Sequence, residues 1–188
     1  MLLFIIYLKI VKSLFYYLSY SKRGVKIKAI APLTELKISF MLKRILFEHC
    51  TTHLNNNLLS FEKRRLELLE ALESESKNSA GDKHETGRAM LQLEREKLGE
   101  QIKKTERNLQ LLLPLQNHIT TAKVSVGAVV KTTHFNYYIA ISSPRLIVKQ
   151  EEYYCISALS PIGKLLLGKK VGETILLNNI TSAITRIF

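Results

Sequence analysis

Two leucine-rich runs flank the polar segment Asn78–Arg88, NSAGDKHETGR, and that arrangement restricts the fold more than any other feature of the chain. Before it, apolar residues recur at Leu54, Leu58, Phe61, Leu68 and Leu72. Spacings of this kind put them on one helix face and leave Glu62, Arg64, Glu70 and Glu73 largely off it. After it, Leu91, Leu98, Ile102, Leu109 and Leu112 repeat the pattern. Stripes joined by so short a connector bury each other only by folding back, which predicts an antiparallel αα-hairpin with a coiled-coil seam over 41–115 and a tip near 78–88. Arms of about 30 residues, at ~1.5 Å per residue, would hold the tip roughly 45 Å from the base. A stalk of that length suits a reaching device, but periodicity alone favours a plain spacer or dimerisation coiled coil.

The tip carries Asp82 and Glu85, three residues apart and just before the second stripe. Asp-x-x-Glu at a helix start is a capping-box-like pattern in which Asp82 would accept from the Glu85 amide while Glu85 reaches back. The same two carboxylates at a solvent-facing apex could supply hard oxygen ligands to a divalent cation such as Mg²⁺. Two ligands do not complete a site, so the remainder would come from a partner.

A net charge of +12 suggests a nucleic-acid binder until it is divided by segment. Residues 1–40 carry +6, residues 41–122 only +1 and residues 123–188 +5. A balanced hairpin is what a solvated helix surface shows, whereas the basic C-terminal segment is compatible with an acidic or nucleic-acid-bearing partner. Cys50 and Cys155 lie far apart with no CxxC or Cys/His spacing, arguing against a zinc site or a disulfide framework and for a reducing cytoplasm. His49 and His53 stand one helical turn apart without a third ligand nearby, so they are expected at the hairpin base.

Residues 1–40 differ from all that follows. MLLFIIYLKIVKSLFYYLSY is apolar and aromatic, but Lys9 and Lys12 near its centre each cost about 2.5–3.5 kcal/mol on the insertion scale, which makes a membrane span marginal. A cleaved signal fits poorly because its charges should precede the apolar core. Three alternatives stand: translation begins at Met41, the segment is an anchor whose cluster from Lys22 to Lys28 keeps the rest cytoplasmic, or it is an extension of no assigned role.

Pro114 ends the second stripe, and 116–122 is a polar linker into a different pattern. From Lys123 the chain is rich in β-branched and aromatic residues: KVSVGAVVKT, FNYYIAIS and RLIVKQEEYYCISA read as three strands. A turn at Ser160-Pro161, a short helical turn at Leu165–Leu167 and breaks at Gly168 and Gly172 follow. TILL and SAITRIF then flank an Asn178-Asn179 turn. The fold class is therefore α+β, a helical hairpin followed over 123–188 by a small β-rich domain with one short helix.

The run Ser157–Leu177, SALSPIGKLLLGKKVGETILL, resembles the C-terminal segment of the Gre-type bacterial transcript cleavage factors, the GreA/GreB family. Their pattern is ser-pro-ile/leu-gly-x-ala-leu-leu-gly-lys-lys-val-gly-asp; Leu165 stands where it has alanine and Glu173 where it has aspartate. At the tip the family has gly-asp-x-ser-glu, and this chain has Gly81-Asp82-Lys83-His84-Glu85. The resemblance covers Met41–Phe188. It implies a coiled-coil hairpin followed by a domain similar to the FKBP fold. It also implies docking on the rim of RNA polymerase through Ser160, Pro161, Gly163, Lys169 and Lys170, and insertion of the tip through the secondary channel toward the RNA 3′ end. Asp82 and Glu85 would then assist a Mg²⁺ shared with the polymerase active site, with no stably bound cofactor, no small-molecule substrate and no membrane partner. The chain would not be an enzyme itself but would activate the polymerase's own nuclease. Lys103, Lys104 and Arg107 on the stalk could meet RNA phosphates, although pairing with neighbouring glutamates is the simpler expectation.

The tip departs from the family, because Thr86, Gly87, Arg88 and Ala89 replace asn-ala-glu-tyr after Glu85, and Lys83 and Arg88 add positive charge beside the acids. A relative that occupies the channel without promoting cleavage is the alternative function. A structural coiled coil is the third, weakened by Arg65, Arg95 and Thr105 at seam positions. A cysteine-dependent acyl transferase would need an activating base and a nucleophile turn, and Tyr153-Tyr154-Cys155 has no such turn.

Overall fold

A computed structural model describes the backbone of residues 30–77, 82–117 and 122–188, with side chains from 37–74, 86–117 and 122–188. The chain divides into two compact units, Met1–Ile38 and Ser39–Phe188. In the first, only Ile30–Ile38 is described, as the leading turns of helix α1 (Ile30–Lys77). Pro32 is tolerated there because the first N–H groups of a helix have no intrahelical acceptor. The apolar stretch weighed as a membrane segment lies outside the described residues. Among those residues no helix is long and apolar enough to cross a membrane.

Within Ser39–Phe188, α1 is followed by α2 (Asp82–Leu112) and a 3₁₀ turn (Leu113–Asn117) carrying Pro114. Helix α2 starts inside the segment expected as the tip. A carboxylate-rich first turn suits the positive end of a helix dipole, and Gly87, at a cost of about 1 kcal/mol, is too weak a breaker to stop a 31-residue helix. The stripes expected from spacing are the residues withdrawn from water. Leu54, Leu68, Leu98 and Leu112 are buried, and Leu58, Phe61, Leu72, Leu91, Ile102 and Leu109 are half-buried. Thr105 is buried too, with its hydroxyl donating to the Gln101 carbonyl at 2.8 Å. Arg64 Nη2 meets Glu94 Oε1 at 2.6 Å, while Leu112 shares a cluster with Leu42, Leu46 and Leu54. The two helices therefore lie side by side and run in opposite directions.

Six strands follow: β1 (Val129–Thr132), β2 (Asn136–Ala140), β3 (Leu146–Val148), β4 (Glu151–Ser157), β5 (Thr174–Leu177) and β6 (Ile180–Ile187), with α3 (Pro161–Leu166) between β4 and β5. They make one mixed sheet in the order β3-β4-β2-β1-β6-β5, in which only the β2/β4 pair is parallel. RLIVKQEEYYCISA, expected as one strand, is two, because Lys149 (φ 51°) and Gln150 (φ 67°) both adopt the left-handed conformation of a two-residue hairpin turn. Asn178 and Asn179 turn β5 into β6 in the same way, with residue types that favour it.

Register and alternation give the sheet two faces. Val129 pairs with Tyr138 and Tyr138 with Cys155; these three, with Tyr153, form a core with Leu42, Leu46, Phe47, Cys50 and Leu54 of α1 and with Leu112. Val130, Tyr137, Ile139, Ile175 and Ile184 point to the other side, where Leu166 of α3 covers them. The base of the helix pair and the sheet thus share one hydrophobic core. Burying a leucine as completely as Leu46 contributes about 1.5–3 kcal/mol.

Candidate functional site

Asp82 and Glu85 occupy the first turn of α2, and their side chains, with the capping contact expected between them, lie outside the described residues. From that turn α2 runs unbroken to Leu112, which is fully buried at the sheet. The backbone of Asp82 therefore stands roughly 45 Å along the helix from the point where α2 joins the core. Just beyond the acids, Thr86 and Arg88 are exposed, as is Met90 one turn further. Lys103, Lys104 and Arg107 are exposed and form no ion pair among the described residues, contrary to the expected pairing with glutamates. Long exposed side chains gain little from such pairs.

Ser160, Pro161 and Gly163 build the start of α3. Ser160 Oγ accepts from the Gly163 amide at 3.1 Å and donates to the Ser157 carbonyl at 2.6 Å, and Pro161 fills the first helical turn, where its missing N–H costs nothing. Gly163 has a steric reason to be glycine, since a Cβ there would stand 2.3 Å from the Ser157 carbonyl oxygen. Gly168, at φ 80°, then lets the chain turn after the helix, its amide bonding to the Val124 carbonyl at 2.8 Å. Lys169 is half-buried and Lys170 exposed, and Lys170 pairs by backbone with Lys123. Ser160 through Lys170 is thus a self-supporting helix and return.

The charge surplus of this domain is reinforced by how its acids are used. Glu151 accepts from Lys131 at 2.6 Å and from the Tyr153 hydroxyl at 2.5 Å, and the lysine contact first, then the phenol, holds its carboxyl below the usual range. Glu152 takes Arg145 and the Tyr154 hydroxyl, and Glu173 accepts the Lys170 amide at 2.7 Å. Lys149, Lys164, Lys169 and Lys170 form no ion pair among the described residues. Two of the four adjoin the end of α3, so a basic patch stands beside the Ser160 helix.

Two features were not singled out from sequence. An open cleft of about 260 Å³ lies on the α3 face, lined by Phe135, Tyr137, Tyr154, Leu177, Ile180 and neighbouring side chains. Phe135 meets Tyr154 edge-on at 5.8 Å. Tyrosine and phenylalanine at alternate strand positions were visible, but their convergence depends on the parallel β2/β4 pairing. The second is a meeting of the two cysteines. Cys50 on α1 and Cys155 on β4 are both buried in the shared core, and Ser143 bonds to the Cys50 sulfur and to the Cys155 backbone. His49 Nε2 lies 2.8 Å from the Pro144 carbonyl oxygen and His53 Nε2 3.2 Å from the Asn57 side-chain amide, so both imidazoles are engaged at the hairpin base. Among the described residues no group of three His, Cys, Asp or Glu could hold a metal.

No protein-family model matches this chain, and no curated protein matches it. Two surfaces in the structure therefore stand as candidates on their own chemistry. They are the first turn of α2, where the backbone carries Asp82 and Glu85, and the basic patch around α3.

Proposed function

We propose that the chain is a Gre-type factor that binds RNA polymerase. Its helix pair would be an antiparallel coiled-coil stalk entering the secondary channel, and its sheet with α3 an FKBP-like domain seated on the rim. The observation that carries this is the uninterrupted α2, with Asp82 at one end and a core-embedded Leu112 at the other. A helix rooted in a core projects its far turn rigidly, as a device that must reach a remote active site requires. The order of elements and the α3 return with its basic surplus support the same assignment.

In this proposal Asp82 and Glu85 are the functional pair. They match Mg²⁺ in donor type but not in number, so the chain offers a partial ligand set that the polymerase completes. A metal ion held there would supply the Lewis acidity and activated water of phosphoryl hydrolysis. The contribution of this chain is to orient two carboxylates at the end of a stiff helix. The activity belongs to the polymerase, and the protein acts in the cytoplasm with the nascent RNA as an indirect partner.

A second reading is favoured by one observation: Arg88 is exposed one turn beyond Glu85, and Lys83 lies between the acids, where positive charge opposes a cation. On that reading the stalk fills the channel without promoting cleavage. The deciding experiment follows RNA in backtracked complexes of the cognate polymerase with Mg²⁺, comparing the parent with an Asp82→Ala, Glu85→Ala variant. Shortening from the 3′ end by the parent alone, with equal competition for polymerase, supports the cleavage role. Slowed elongation by both proteins without cleavage supports the modulator, and absence of polymerase binding by either overturns both.

A further inference from the structure

The two cysteines of this chain are 105 positions apart, yet they meet where α1 is seated on the sheet. Cys50 is 0% and Cys155 4% exposed, and Ser143 joins them, its hydroxyl 3.5 Å from Cys50 Sγ and its amide 3.3 Å from the Cys155 carbonyl oxygen. Cys155 sits beside Tyr138 in the parallel β2/β4 ladder, one strand in from the β3 edge, and Cys50 lies among Leu46, Phe47 and Leu54 of α1. Both cysteines lie in one buried cluster and both bond to Ser143, and they belong to the two elements whose packing roots the stalk. Nothing in the polymerase-binding proposal uses them.

We infer that Cys50 and Cys155 form a reversible intramolecular disulfide, a covalent clasp between α1 and β4 that peroxide closes and thiols open. The surroundings make the two sulfurs unequal. The hydrogen bond with Cys155 and then burial push the Cys50 thiol up, whereas hydrogen bonds from Cys50 and Ser143 hold Cys155 down despite its burial. Either sulfur can open the reaction and the product is the same; with Cys155 first, its thiolate attacks the peroxide. Its sulfur bonds one peroxide oxygen, the O–O bond breaks, and the other oxygen leaves as hydroxide and is protonated to water. Cys50 then attacks the resulting sulfenic sulfur, the S–S bond forms, the S–O bond breaks, and the departing hydroxide takes the Cys50 proton. Two thiols are oxidised and one peroxide is reduced to two waters. A link closing so long a loop restricts the unfolded chain and ties the base of α1 to the sheet.

The test treats the native full chain with hydrogen peroxide, alkylates free thiols under denaturing conditions and maps peptides without reduction. The expected result is a chain lighter by about 2 Da that takes up no alkyl group, has its Cys50 and Cys155 peptides joined, and reverts with dithiothreitol. Its unfolding midpoint should rise by roughly 5–15 °C, and Cys50→Ala and Cys155→Ala should each abolish that rise. Two free thiols after treatment, sulfinic acid at either position, links only between chains, or a link that forms only in urea would each overturn the inference. The peptide map of the parent decides even where a variant does not fold.

Discussion

Gly163 and Gly99 are both helical, and a methyl group would act oppositely at the two. At Gly163 it would press on the backbone of Ser157 and Ala158, at 2.3 and 3.0 Å, which only a shift of α3 can relieve. Gly163→Ala should lower stability by about 2–4 kcal/mol in chemical denaturation. At Gly99 nothing lies within 4 Å, so Gly99→Ala should raise it by about 0.5–1 kcal/mol through lost freedom of the unfolded chain. Lys43 gives a pH signature. Burial lowers its ammonium from 10.5 to about 8, so between those values the unfolded chain holds a proton the folded one has released. Stability from this group is reduced below pH 8 and recovers as pH rises toward 10.5. Lys43→Met should remove that rise in a comparison of denaturation midpoints at pH 7.5, 8.5 and 9.5 (roughly the span of the shift).

Helix α3 depends on its first turn. Ser160→Ala removes an oxygen that both caps the helix and anchors it to Ser157, and should cost about 1 kcal/mol. Loosening of α3 should appear as faster amide exchange at Leu166 and Leu167, whose backbone groups close the helix. The β3/β4 hairpin carries the opposite imperfection: Gln150 holds φ 67° although it is neither glycine nor asparagine. Gln150→Gly should therefore stabilise by up to about 1 kcal/mol, read as a higher midpoint with an unchanged denaturant slope.

Because Leu42, Leu46 and Leu54 are buried against Tyr138, Tyr153 and Val129, the helix pair and the sheet are not independent bodies. Helical ellipticity and tyrosine environment should therefore report one coincident unfolding transition of Ser39–Phe188. Leu46→Ala should lower both signals together by about 2–5 kcal/mol, because the cavity opens between the two layers. Exposed pairs such as Arg64–Glu94, about half-exposed on each side, should matter little, and Glu94→Ala should stay within about 0.5 kcal/mol of the parent.

Periodicity alone was enough for the helix pair, because an apolar residue every three or four positions has one consistent burial, and Leu68 and Leu98 show it. Likewise Asn178-Asn179 announced its hairpin, because asparagine tolerates the left-handed conformation that a tight turn imposes. Lys149-Gln150 announced nothing, since strand pairing rather than residue preference holds that turn. The Ser-Pro-x-Gly run was legible as a turn, but the reason for Gly163 is a carbonyl oxygen six positions earlier, which appears only when α3 folds back. Residue type and spacing offered Asp82 and Glu85 both as a capping box and as oxygen donors, and their side chains lie outside the described residues. Non-local pairing brought Cys50 to Cys155 and Phe135 to Tyr154, because a parallel strand order and a helix laid across it join positions that no local pattern connects.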